Sequence, residues 1–253
     1  IGVFIRGTDE NADPVLNVHG TISGYGSAIQ GNGTDRSNPT INICEGANVV
    51  SDKLAIYLPQ PGTVNITGAK VTGYAGIGIK SGTLNIKDSE IHGVAPDDIL
   101  EDKHSTTGGI NTDGSAIVID SYVDYAGKMN ITISGDSEII SDHSTAIREI
   151  GNDDSATNIV TLKIEEGYFS SAEDHLDIMV RDVTKETVEI SGGYFTSDPS
   201  EYVAEDYIAT ASNKAGYSWM VTEGSIQENV EPAIAEPSVD ESKVDIDENL
   251  KKA

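Results

Sequence analysis

TVNITGAKVTGYAGIGIKSGTLNIKDSEIHG, residues 63–93, states nearly the same phrase twice: Thr63-Val-Asn-Ile returns twenty residues later as Thr83-Leu-Asn-Ile. Working outward from this stretch, two templates recur along the chain. The first is apolar-Asn-apolar, at Leu16-Asn17-Val18, Ile41-Asn42-Ile43, Val64-Asn65-Ile66, Leu84-Asn85-Ile86 and Met129-Asn130-Ile131. Later copies keep the apolar pair around a charged residue, at Leu162-Lys163-Ile164 and Val188-Glu189-Ile190. Alternation of this kind puts the apolar side chains on one strand face and the middle residue on the other. The second template, a small residue followed by Ile, appears at Ala28-Ile29, Ala55-Ile56, Gly78-Ile79, Ala116-Ile117, Ala146-Ile147 and, with Asp as its first residue, Asp177-Ile178. Between the two lies a third apolar position: Ile22, Val49, Val71, Ile91, Ile139, Phe169 and Phe195.

Three short strands per repeat, separated by Gly, Asn and Asp, describe one coil of a parallel β-helix. A single coil cannot bury its inward side chains, whereas stacked coils pair every backbone edge and line up like residues. The periodicity therefore predicts an all-β solenoid of about seven rungs over residues 15–205. The irregular spacing leaves a β-sandwich as the alternative, which would show evenly spaced alternating strands without residue columns. Residues 1–14 read as an N-terminal cap or degenerate rung, and residues 206–224, with the single tryptophan Trp219, as a C-terminal cap. Core filling is the favoured role for Trp219 over sugar stacking. Residues 225–253 carry eight acidic residues, two prolines and no aromatics, the composition of a linker or the start of another module.

The rungs and their ending resemble right-handed parallel β-helix proteins of the pectate-lyase-like superfamily, and are most similar to non-enzymatic surface proteins of Gram-positive bacteria. The residues that carry the resemblance are Val188-Glu-Ile-Ser-Gly-Gly-Tyr-Phe-Thr-Ser-Asp-Pro-Ser-Glu-Tyr-Val-Ala204, then Tyr207-Ile-Ala and Ser218-Trp-Met-Val, with a weaker copy at Ile164-Glu-Glu-Gly-Tyr-Phe-Ser-Ser. The resemblance covers about residues 15–222 and implies a right-handed coil, a helix end at the "GGYFTSDPSEYVA" phrase, and an extracellular protein, secreted or attached to the cell surface. The chain starts at Ile1 without Met, which suggests that an upstream segment has been removed.

Charge narrows the function classes. There are 42 acidic and 16 basic residues, a net charge of −26. No basic stripe exists to neutralise phosphates, which argues against nucleic-acid binding, and a polyanionic substrate is repelled. No apolar run is long enough to span a bilayer. The single cysteine, Cys44, excludes an intrachain disulfide and reads as a small buried residue. The five histidines show no zinc-ligand spacing.

One interval is anomalous. Asn85 to Ile117 spans 32 residues, against 12 to 17 for the other copies, so about 93–110 leaves the rod as an inserted loop. Asp97, Asp98, Glu101 and Asp102 in that loop are candidate oxygen ligands for Ca²⁺, although the EF-hand series is absent. The plain alternative is a solvated acidic loop. Asn111-Thr112-Asp113-Gly114 is similar to the Asn-Thr-Asp-Gly motif of polygalacturonases, in which paired aspartates hydrolyse the glycosidic bond. The Asp-Asp pair expected one rung later is missing, and so are the Gly-His-Gly and Arg-Ile-Lys segments, so a turn before the strand at Ala116 is the simpler reading. The leading expectation is a non-catalytic surface module contacting a glycan or a host surface protein. The alternatives are a polysaccharide lyase or glycoside hydrolase using Asp97, Asp98 and Asp113, and a structural spacer in a modular stalk. The column Asn17, Asn42, Asn65, Asn85 is expected to form an amide ladder along the rod.

Overall fold

The computed structural model describes residues 1–6, 13–32, 37–96, 113–121, 128–151, 160–181 and 186–224. Those residues form three sheets, and successive strands enter the three in rotation. The first sheet stacks β1 (Val3–Phe4), β4 (Ser27–Gln30), β7 (Leu54–Leu58), β10 (Ala75–Ile79), β13 (Ile117–Ser121), β16 (Ile147–Gly151) and β19 (Ile178–Met179). The second stacks β2 (Val15–Val18), β5 (Thr40–Ile43), β8 (Thr63–Thr67), β11 (Gly82–Lys87), β14 (Met129–Ser134), β17 (Val160–Ile164) and β20 (Thr187–Ile190). The third stacks β3 (Thr21–Gly24), β6 (Asn48–Ser51), β9 (Lys70–Gly73), β12 (Glu90–Gly93), β15 (Glu138–Ser141), β18 (Tyr168–Ser170) and β21 (Gly193–Phe195). Within these stacks every neighbouring pair is parallel. A hairpin of β22 (Tyr207–Ala211) and β23 (Trp219–Glu223) then closes the third sheet through antiparallel pairing of β23 with β21. The molecule is therefore all-β with parallel strand stacks, compatible with the expected solenoid. Evenly alternating strands without residue columns do not describe it, because each strand of a stack pairs in parallel with the equivalent strand of the preceding repeat.

The columns follow from burial. Ile22, Val49, Val71, Ile91, Ile139, Phe169 and Phe195 lie in register in consecutive strands of the third sheet. Ile29, Ile56, Ile77, Ile117, Ile147 and Ile178 do the same in the first. With Ile41, Val64, Leu84, Ile131 and Leu162 of the second sheet they form one continuous apolar core. Placing each Ile over another gives each side chain a shape-matched neighbour above and below, which is how a core one coil wide reaches native packing density. At the corner leading into the first sheet the register requires small residues: Gly24 lies beside Ser51, Gly73 beside Gly93, and Gly93 beside Ser141. A Cβ on Gly93 would sit 2.1 Å from the carbonyl oxygen of Gly114.

Two template copies are shifted by two residues from the sequence reading. Asn130 lies opposite Thr83, and the residue in the column of Asn85 is Thr132. Ile77, not Ile79, lies over Ile56. Cys44 is half-buried rather than buried, because β5 ends at Ile43 and Cys44 turns the corner, its Sγ 3.9 Å from Nε2 of His19.

The amide ladder is present. Asn42 Nδ2 donates to Asn17 Oδ1 at 2.8 Å, Asn65 Nδ2 to Asn42 Oδ1 at 2.9 Å, and Asn85 Nδ2 to Asn65 Oδ1 at 2.9 Å. Below the ladder the same column carries Thr132, Lys163 and Glu189, the last two ion-paired at 3.0 Å. Asn42 makes two ladder bonds and Asn17 one. Asn42→Ala is therefore expected to lower unfolding free energy by about 1–2 kcal/mol and Asn17→Ala by about half as much, as read by urea unfolding. Equal losses would show that the ladder is not the source.

Candidate functional site

The expected site residues separate on inspection. Asp97, Asp98, Glu101 and Asp102, with Asn111 and Thr112, lie outside the described residues, as does the acidic segment 225–253. Asp113 is buried, and its carboxylate is engaged: Oδ1 accepts from the Ser115 backbone N–H at 3.0 Å, Oδ2 from the Ser115 hydroxyl at 3.2 Å and from Arg148 Nη1 at 3.4 Å. Gly114 follows at φ +91°, three residues before the strand that opens at Ile117. Among the described residues no three His, Cys, Asp or Glu side chains are grouped to hold a metal ion. No helix among them is long and apolar enough to cross a membrane. The Asn column directs its amides to one another, which fits its structural reading. Trp219 packs, half-buried, against the core.

A different place has the form of a binding site. Three successive turns between the second and third sheets contain glycine: Gly135, Gly167 and the pair Gly192-Gly193. Gly135, Gly167 and Gly193 have φ values of +62°, +127° and +109°, where L side chains are strained. A Cβ on Gly192 would lie 2.2 Å from the Glu165 carbonyl oxygen. A trench of about 390 Å³ runs over these stacked turns, bordered on one side by Met220–Glu223 of β23. Asp136, Glu165, Glu166 and Glu223, all exposed, line it with carboxylates, and Tyr168 and Tyr194 line it with aromatic rings.

The tyrosines are in register because the phrase Gly-Tyr-Phe occurs at 167–169 and again one coil later at 193–195. Register puts Phe169 and Phe195 inward, stacked at 4.7 Å with an interplanar angle of 7°, and Tyr168 and Tyr194 outward, stacked at 5.4 Å and 12°. Tyr217 joins them at 5.6 Å from Tyr168 and 6.3 Å from Tyr194. Burial pushes its phenol above the ordinary range, with the nearby Glu138 charge adding to this. Lys214 Nζ lies 3.6 Å from the Tyr168 ring centroid and 5.0 Å from that of Tyr194. Its hydrogen bond with Tyr168 and then the neighbouring phenols hold the ammonium above its usual range. The result is a half-buried aromatic surface anchored by one cation and bordered by an acceptor-rich trench. In the sequence, Gly-Tyr-Phe marks the expected helix end, and its repetition at 167–169 and 193–195 is the signal that the tyrosines stack.

No family model matches the chain, and neither the curated proteins nor the solved structures contain a match.

Proposed function

We propose that this chain is a non-catalytic extracellular surface module, built as a right-handed parallel β-helix of about seven rungs like the pectate-lyase-like surface proteins of Gram-positive bacteria, and that it contacts a neutral glycan at the trench beside Tyr168 and Tyr194. The rotation of strands through three parallel sheets supports the architecture. The observation that carries the function is the pairing of stacked tyrosines with a carboxylate-lined trench. A sugar presents apolar C–H faces and a rim of hydroxyls. Tyrosine rings suit the first, and the carboxylates of Asp136, Glu165, Glu166 and Glu223 accept hydrogen bonds from the second. At −26 the chain disfavours uronic-acid polymers, so the ligand is an uncharged oligosaccharide.

The test is a glycan array followed by titration calorimetry with the neutral oligosaccharide that scores highest. Tyr168→Ala and Tyr194→Ala are each expected to weaken binding about tenfold, corresponding to about 1.4 kcal/mol, while leaving the far-ultraviolet spectrum unchanged. A blank array would instead favour the spacer reading. Cleavage of the glycan by the wild-type chain would favour the enzyme reading, with the segment around residues 93–115 as the place to look.

A further inference from the structure

The two sides of the tyrosine pair have opposite hydrogen-bonding character. On the trench side stand the carboxylates of Asp136, Glu165, Glu166 and Glu223, and no Lys, Arg or His is among the described lining residues. An ionised carboxylate only accepts hydrogen bonds. The other side follows from chain direction. β23 runs antiparallel to β21, with Val221 opposite Gly193 beside the trench and Trp219 opposite Phe195. The loop 212–218 that leads into β23 therefore lies beyond the far end of β21. From this loop the exposed Lys214 reaches back over the rings, its Nζ 3.6 Å from the Tyr168 centroid. An ammonium only donates, through three N–H groups. One of them serves the Tyr168 hydroxyl, which leaves donors for a ligand. Tyr217, from the same loop, is tilted 48° to Tyr168 and 58° to Tyr194, so the three rings form a corner rather than a flat stack.

A ligand that suits both sides brings a donor to one edge of the rings, an acceptor to the other and an apolar group between them. A secondary amide does this with one substituent. It is planar and trans, so its N–H and C=O point in opposite directions.

On the glycan reading of this site, we infer that the sugar recognised is N-acetylated, an acetamido hexose whose amide N–H faces the trench carboxylates, whose carbonyl accepts from Lys214 and whose methyl packs against the tyrosines. Lys214 is then the residue that sets specificity. The acetamido group is uncharged, which suits a chain of net charge −26. A plain hexose has a hydroxyl at the same carbon. That single oxygen cannot span the ring pair, and it has no methyl to place on it. The discrimination is modest, about tenfold, because the groups left without a partner are open to water.

Titration calorimetry with two matched pairs of tetrasaccharides tests the inference: N-acetylglucosamine against glucose, and N-acetylgalactosamine against galactose. Wild type, Lys214→Met and Lys214→Arg are compared; the position is exposed, so the fold accepts both changes. In wild type the N-acetylated member of at least one pair is expected to bind about tenfold tighter than its plain partner. Lys214→Met is expected to reduce that ratio below about threefold with the plain sugar bound as before, whereas Lys214→Arg, which keeps a charged donor, retains most of it. A disturbed tyrosine cluster would weaken both members alike and leave the ratio unchanged, so the ratio reads the Lys214 contact itself. Equal binding of both members in wild type, or a ratio that Lys214→Met leaves intact, overturns the inference while the glycan reading stands. Binding of none of the four sugars also overturns it, and a blank array then removes the glycan reading as well.

Discussion

Lys80→Met is expected to destabilise the chain by about 3–5 kcal/mol, while Lys80→Met combined with Asp120→Leu returns to within about 1 kcal/mol of the wild type. Lys80 follows β10 and Asp120 lies on β13, two neighbouring strands of the first sheet. Their side chains are 1% and 3% exposed, and Lys80 Nζ donates to Asp120 Oδ2. Groups of opposite charge removed from water this completely are stabilised by their pairing. Deleting the cation takes the Lys80 ion pair away from a buried carboxylate, which is the expensive error. Deleting both replaces the pair with apolar contact beside Val118 and Ile150, which form a second buried apolar cluster with Leu54, Tyr57 and Ala75. Guanidinium unfolding of the two variants measures the difference. A single variant within 1 kcal/mol of wild type would show that the pair is solvated in solution.

Phe169→Ala is the second large effect, expected to cost about 3–5 kcal/mol. Phe169 is fully buried between the in-register Ile139 above and Phe195 below. The coils on either side are fixed by their backbone ladders, so the site cannot collapse to fill the void. Phe169→Leu keeps most of the volume and is expected to cost well under half as much. Tyr168→Ala, one residue away on the outer face, is expected to change stability by less than about 1.5 kcal/mol while impairing ligand binding. The contrast between 168 and 169 separates the site from the scaffold in adjacent positions. If the two alanine variants lost the same stability, the inward and outward assignment of this strand would be in doubt.

The fold was legible where residue identity repeats at the coil interval. The third-sheet column was legible because no member has a large apolar competitor two positions away on the same face; the residues two away are Gly, Ser or Ala. Ambiguity arose where the strand pattern has its own period of two. Met129-Asn130-Ile131 and Ile131-Thr132-Ile133 both fit an apolar-polar-apolar template, and choosing the copy with Asn put the register off by two. Gly76-Ile77 and Gly78-Ile79 present the same choice. A shift of two keeps every side chain on its face, so alternation cannot detect it; backbone pairing decides.

The site was less legible. Tyr168, Tyr194, Tyr217 and Lys214 span almost fifty residues and meet only because coils stack. The trench runs over turns of neighbouring repeats, and Gly135, Gly167 and Gly192 read in sequence as ordinary turns. Lys80 and Asp120 look like outward, solvated residues of two strands separated by the inserted loop, and nothing in the local sequence says that the outer face of the first sheet is buried there.

The most direct test of the central claim, that each strand's partner is its own equivalent one coil earlier, is a crystal structure read at the Asn column. The account predicts that the Cα atoms of Asn17, Asn42, Asn65 and Asn85 follow one another along a line at about 4.8 Å, with three amide-to-amide hydrogen bonds joining them. Finding any two consecutive members in strands that are not neighbours would contradict it.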